Sequence, residues 1–328
     1  MNTRRALLIA LGASTLAPLA SLAQSRKLRR IGVLVEQGST YPVYPPRFEA
    51  FKEGLHAVNY VEGTDYVLEF RYAEADLGRL PALAAELVAL NVDLIVTSGT
   101  PSVVAASRAT REIPILTTTA GDPVSNGLVA SFARPGGNIT GFTALSAELN
   151  GKRLDLLRQF VPGLRRVALL YDPNDANDAL LLTQFEADCA KARLLPVRAP
   201  VRNAGEIAAA FKALANHKAQ ALVATNTAAI NSSRASVLEL AAKLRLPASY
   251  GQPANVEAGG LFSYAPDFNI LWRSAAGYAD KIFKGAKPGE LPIQRPNTFE
   301  LVVNLKTAKA LGLKVPQSIL IQATRVIE

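Results

Sequence analysis

Cysteine occurs once in the 328 residues, at Cys189, so no intramolecular disulfide can form. Cys189 falls in an expected helix from Ala179 to Ala192, where a partnerless thiol is a packing residue and a poor nucleophile. Histidine occurs only as His56 and His217, each alone in a polar helical stretch, so the cluster a metal site needs is absent. After the first 25 residues no stretch approaches the roughly 18 uninterrupted apolar residues of a membrane span. There is no Gly-Lys-Ser/Thr phosphate loop, no Gly-x-Ser-x-Gly elbow and no paired-carboxylate motif. Catalysis, a metal and a cofactor are therefore not expected. Zinc spacing, a helix-turn-helix and interleaved basic and aromatic residues are missing too. The net charge of +9 is dispersed, and it reads as a cationic surface, not a nucleic-acid interface.

What is present begins at the N-terminus. Arg4 and Arg5 precede an apolar core from Ala6 to about Leu19, and Ser21-Leu22-Ala23 offers a small-x-small cleavage site. The pattern reads as a signal peptide, residues 1–23, cut between Ala23 and Gln24. The apolar core is too short to cross a bilayer, and Thr3-Arg4-Arg5-Ala6-Leu7-Leu8 only loosely matches a twin-arginine signal. Cleavage leaves 305 residues with a formal charge of +7, enough for two ordinary domains.

From Arg30 short apolar runs alternate with amphipathic segments, the mark of a parallel sheet flanked by helices. Strands are expected at Ile31–Val35, Tyr66–Arg71, Val92–Thr97 and Ile113–Thr117, and helices at Arg47–Asn59, Leu80–Leu90 and Pro101–Thr110. The turn-rich Ala133–Asn138 interrupts this series. A second series follows, with strands at Arg166–Tyr171, Leu195–Ala199, Ala221–Thr225 and Leu246–Tyr250. Its helices are expected at Ala147–Phe160, Ala179–Ala192, Ala204–Ala215 and Ser233–Leu244. Two α/β lobes divided near residue 145, with a cleft between them, are the expected architecture.

Ligands of open α/β sheets sit beyond the carboxyl ends of the strands. The candidate ligand residues are accordingly Gly38, Ser39, Thr97, Ser98, Gly99, Thr100, Asp122, Tyr171, Asp172, Asn174, Asn226, Thr227 and Tyr250. Thr97-Ser98-Gly99-Thr100-Pro101 runs from a buried strand through a glycine turn into a helix whose free N–H groups can hold a carboxylate. Simple capping by Ser98 or Thr100 is compatible with that role. Asp122 can bind a ligand ammonium, or cap a helical segment over Val124–Phe132. Asp172-Pro173-Asn174 is a common turn raised in interest by its place at a strand end. Tyr41, Tyr44, Tyr171 and Tyr250 offer stacking surfaces. Asp267, also among the candidates, should cap a helix over Phe268–Phe283 whose Trp272, Ile270 and Tyr278 face the core.

Several runs together resemble the substrate-binding proteins of ATP-binding-cassette importers, and within them the family of tryptophan/tyrosine-type binding proteins. They are Arg30–Leu34, Val92–Thr100, Gly121–Val124, Gly127–Val129, Ala133–Gly141 and the tail Phe299–Gly312. Arg134-Pro135-Gly136-Gly137-Asn138-Ile139-Thr140-Gly141 together with that tail carries most of the specificity. The resemblance implies a two-lobed type I periplasmic-binding-protein fold with three crossovers, expected near 143–147, 249–253 and 288–296. Residues 24–145 with about 252–290 would form the first lobe and 146–251 the second, while 291–328 completes the lobes. It implies binding without catalysis, by a periplasmic monomer that hands a small-molecule ligand to an inner-membrane permease and its ATPase. Some relatives look like amino-acid binders, which implies a main-chain carboxylate held near Thr97, Ser98, Thr100 and Asp122. The second lobe would close over it with Asp172, Asn174, Asn226 and Tyr250. The leader ends in Ala-Gln without a lipid-anchor cysteine, so a free periplasmic protein is expected. A ligand-sensing module for a membrane receptor is the alternative, an exported hydrolase a further one. A transcription-factor effector domain shares the architecture but lacks a reason for the leader.

Overall fold

A computed structural model describes residues 27–144 and 148–328. The expected leader lies outside the described residues. The first lobe carries β1 (Arg29–Val35), α1 (Tyr44–Ala57), β2 (Tyr66–Tyr72), α2 (Leu80–Ala89), β3 (Leu94–Ser98), α3 (Thr100–Ala109), β4 (Ile115–Ala120) and β5 (Ile139–Thr143). Its five strands are all parallel, in the order β2-β1-β3-β4-β5. The central strands are buried along nearly their whole length, as expected of apolar runs covered on both faces.

The second lobe begins with α4 (Asn150–Phe160), β6 (Arg166–Tyr171), α5 (Ala176–Lys191), β7 (Leu195–Pro200), α6 (Ile207–Asn216) and β8 (Ala221–Ala224). It continues with α7 (Ala228–Ser232), α8 (Arg234–Lys243), β9 (Ala248–Tyr250), α9 (Pro253–Glu257) and β10 (Phe262–Pro266). After α10 (Phe268–Phe283) the chain returns as β11 (Phe299–Asn304), α11 (Leu305–Leu311), α12 (Gln317–Gln322) and β12 (Arg325–Ile327). The seven strands run β12-β11-β10-β9-β8-β6-β7, and β11 lies antiparallel to β10.

The chain passes between the lobes three times, but the second passage differs from expectation. Residues 252–266, expected in the first lobe, add α9 to the second lobe and β10 to its sheet, and the crossing falls at Asp267. The three-residue β9 and the glycine pair Gly259-Gly260 hide that short unit among turn signals. α10 then packs on the first lobe, where its Leu271, Trp272 and Ala275 join Phe48, Phe51 and Leu55 of α1 in one core. Gly54 permits this close approach, since a Cβ there would lie 2.4 Å from the Arg273 carbonyl oxygen. Trp272 and Tyr278 are buried as expected, whereas Ile270 is exposed. The third crossing follows Gln294, which bridges Phe142 of β5, and the tail from β11 onward belongs to the second lobe. A hydrogen bond from the Asp267 N–H to Thr298 O (3.1 Å) ties the second and third crossings together.

The Arg-Pro-Gly-Gly-Asn-Ile-Thr-Gly block has a structural job here. Gly136 N–H donates to Gly289 O (3.1 Å), Asn138 Nδ2 to Ile113 O (2.8 Å) and Thr140 Oγ1 to Leu291 O (2.7 Å). Gly141 has φ 127°, and a Cβ there would fall 2.1 Å from Thr117 O, so only glycine lets β5 close against β4. The segment fastens the chain leading out of α10 to the edge of the first sheet. Val124–Phe132, expected as a helix, forms turns instead; Gly127, at φ 67°, turns the chain there.

Candidate functional site

The carboxyl ends of the two sheets face each other, and a small cavity of about 60 Å³ lies where they meet. From the first lobe it is lined by Glu36 and Gln37 just after β1, Ser98, Gly99 and Thr100 between β3 and α3, Thr119 of β4, and Gly121. Tyr44 and Arg47 of α1 and the preceding Tyr41 complete that side. The second lobe supplies Asp175, Asn177, Asp178 and Leu181 from the start of α5, Asn226 after β8, Asn231 of α7 and Gln252 after β9. Two hydrogen bonds join the lobes across it: Gln37 Nε2 donates to Ala228 O (3.1 Å) and Arg47 Nη2 to Gln252 Oε1 (3.0 Å).

The turn into α3 explains the first-lobe wall. Gly99, at φ 84°, swings the chain from strand to helix, and its N–H donates to Thr119 Oγ1 (3.2 Å), itself within 2.9 Å of Ser98 Oγ. The missing side chain of Gly99 leaves room for Glu36, whose Oε1 would lie 2.0 Å from a Cβ there. Ser102, in the first turn of α3, offers its backbone N–H to the same carboxylate. The helix start that the sequence offered to a ligand carboxylate thus already holds the chain's own. In the second lobe Asp175 caps α5 through Asn177 N–H (2.9 Å), while Asp178 Oδ2 accepts from Thr225 Oγ1 (2.7 Å) and Asp172 N–H (2.8 Å).

Electrostatics give this cavity its character. Burial, then the charges of Asp175 and Asp178, push Glu36 well above the usual carboxylate range. Burial followed by Asp175 does the same to Asp178, and burial lifts Asp175 to about 6. The cation lining the cavity, Arg47, donates through Nη2 to Gln252 and lies 4.4 Å from the centre of the Phe268 ring. Among the described residues, four buried oxygens of the lining have no hydrogen-bond partner: Glu36 Oε1, Tyr41 Oη, Asp178 Oδ1 and Asn231 Oδ1. Buried polar atoms are paired in all but a few cases, so such a concentration marks a place prepared for a donor.

Of the residues picked from the sequence, the structure brings Tyr44, Ser98, Gly99, Thr100 and Asn226 to this cavity. It does not bring the others. Ser39 is exposed, and Gly38 packs against Glu74 in an adjoining groove between the lobes. Thr97 and Thr227 are buried beneath the wall without lining it. Tyr171 and Tyr250 belong to the second-lobe cores, with the Tyr250 ring filling the space over Gly260. Asp172 closes its own turn through Asn174 N–H (2.8 Å), and Asn174 lines a neighbouring groove between the lobes, opposite α2 and α3. Asp122 is consumed locally by Val124 N–H (2.9 Å) and Ser125 Oγ (2.6 Å), and Asp267 caps α10 through Asn269 N–H (2.9 Å). Glu36, Asp175, Asp178, Asn231 and Gln252 escaped the sequence reading; the signal for Glu36 was an acid immediately after the uncharged run Ile31–Val35. No group of three or more His, Cys, Asp or Glu suited to a metal ion occurs among the described residues.

A family model described as ABC transporter substrate binding protein matches residues 31–327. A curated tyrosine-binding protein of Clostridioides difficile is 27% identical over 293 residues, covering 88% of this chain and 83% of the relative. Among solved structures, an ABC domain from Streptococcus pneumoniae in complex with L-Trp superposes with a TM-score of 0.85. It is 27% identical and covers 92% of this chain and 100% of its own. A conserved domain protein of Vibrio cholerae gives a TM-score of 0.86 at 26% identity, with 92% and 100% coverage.

Proposed function

Because the chain belongs to the family of ABC transporter substrate-binding proteins, we propose that it captures an amino acid, tyrosine or tryptophan in type, in the cleft between its lobes. The observation that carries this reading is the cavity itself, built from the strand ends of both sheets and lined by unpartnered buried oxygens. An aromatic ring has Tyr41, Tyr44 and Leu181 to lie against, and the polar residues beside them take the main-chain end. Closing two lobes on a ligand shifts an open–closed equilibrium by the difference in affinity between the two states.

The remaining parts of the proposal concern the cell. The leader sends the protein to the periplasm, cleavage near Ala23 frees it, and the closed form docks on an inner-membrane permease whose ATPase drives uptake. No described helix is long and apolar enough to cross a membrane.

A thermal-shift screen tests the reading. The purified protein, unfolded and refolded to strip carried-over ligand, is melted with each of the twenty amino acids. At about 100 times its dissociation constant a specific ligand adds roughly 2.7 kcal/mol and raises the midpoint visibly. An aromatic amino acid recovered unchanged after the melt is the expected hit; its consumption would point to an enzyme, and no shift with any amino acid would remove the ligand assignment.

A further inference from the structure

The polar wall of the cleft is one-sided. Glu36, Asp175 and Asp178 all line the cavity where the lobes meet, so the three acids border a common space. Glu36, Asp178 and Asn231 are each more than nine-tenths buried, and each keeps one oxygen without a hydrogen-bond donor among the described residues. The second oxygen of Asp178 and the amide nitrogen of Asn231 are already held, by Thr225 and Asn226, so these side chains are fixed with their free acceptors left over. Three acceptors, two of them on acids, match the three N–H donors of a primary ammonium. The cation of the lining is already engaged. Arg47 donates to Gln252 and packs on Phe268, and Glu36 sits at the start of α3.

Resting on the amino-acid reading above, we propose that this site recognises its ligand through the primary ammonium, seated among Glu36 Oε1, Asp178 Oδ1 and Asn231 Oδ1, and that the α-carboxylate is dispensable. Primary aralkylamines are then ligands of the cleft, and des-amino acids are not. The like charges of Glu36, Asp175 and Asp178 that disfavour one another become an asset once a cation sits between them. A ligand carboxylate without an ammonium meets the three acids with no cation of its own to offset them.

Titration calorimetry on the stripped protein tests this with two triplets: L-tyrosine, tyramine and 3-(4-hydroxyphenyl)propanoate, and L-tryptophan, tryptamine and indole-3-propanoate. In at least one triplet the amino acid and the amine should bind within about tenfold of each other, and the des-amino acid at least about 100-fold more weakly. Glu36→Gln and Asp178→Asn, checked by melting to be folded, should each weaken the amine at least about tenfold. An amino acid that binds while its amine does not would make the carboxylate essential and overturn the proposal, leaving the amino-acid reading intact. A des-amino acid that binds as well as the amine, or an amine whose affinity both variants leave unchanged, would do the same. Silence from all six compounds would overturn the proposal together with the reading it rests on.

Discussion

Glu36 and Asp178 are held where charge is least welcome, buried beside other acids and short of donors. Removing that charge without changing shape should therefore help the empty protein. Glu36→Gln and Asp178→Asn are each expected to raise the unfolding free energy of the ligand-free protein by roughly 1 kcal/mol, read as a higher midpoint, while ligand affinity falls. A drop in both stability and binding would mean that these acids serve the fold. The pH dependence has a definite sign. Asp175 is raised to about 6, and Glu36 and Asp178 are also raised, so folding binds protons and their contribution is full below the ordinary carboxylate range. The share of Asp175 is lost as pH rises through about 6, so the ligand-free protein should melt higher at pH 5 than at pH 7.5. An ammonium ligand prefers the charged acids, so its stabilising shift should be larger at pH 7.5 than at pH 5. At this scale the sequence was only partly legible. The strand-end rule reached Ser98, Gly99, Thr100 and Asn226, because their positions follow from the order of strands and turns. It missed Asp175, Asp178 and Asn231, whose first helical turns look like ordinary caps until the opposing lobe shows which way they face.

At the scale of elements, the alternation of apolar runs and amphipathic segments was enough to place the strands and longer helices as far as β9, since buried parallel strands and their covering helices leave strong periodic signals, but not the short elements of the tail from β11 to β12. Asp267 and the span of α10 were legible to the residue, because a cap fixes its start, while its core face was read correctly at Trp272 and Tyr278 but not at the exposed Ile270. The α9–β10 unit was not, because a five-residue helix and a three-residue neighbour strand leave no period to read. Two junctions hold the first lobe together, and each can be broken singly. Trp272 is fully buried between Phe48 and Phe51, at ring-centroid distances of 5.3 and 6.3 Å. Trp272→Ala should cost about 3–5 kcal/mol in denaturant unfolding. Gly141→Ala should be similarly damaging, through a positive φ and a clash with Thr117 O, although Gly141 touches no part of the cleft wall. A Gly141→Ala protein that melted like the parent would show that β5 can close on β4 without glycine.

For the whole molecule, the issue is how the lobes meet. Gly121 carries no side chain where Asn177 of the opposite lobe presses in; a Cβ there would lie 2.3 Å from the Asn177 Cγ. Gly121→Val should hold the lobes apart, giving a larger radius of gyration by small-angle scattering and no ligand-driven compaction, with the melting midpoint little changed. A compact variant that still binds would show that Asn177 swings aside. The same closure explains why the site was harder to read than the fold: each lobe's wall is written locally, but the cavity exists only where Gln37 meets Ala228 and Arg47 meets Gln252. The most direct test of the account is a side-by-side calorimetric titration of L-tyrosine and L-tryptophan into the stripped protein and its Asp178→Asn variant at pH 7.5. One ligand per chain for the parent, weakened at least about tenfold in a variant that melts no lower, is the expected result. Equal binding by both proteins, or no binding by the parent, would contradict it.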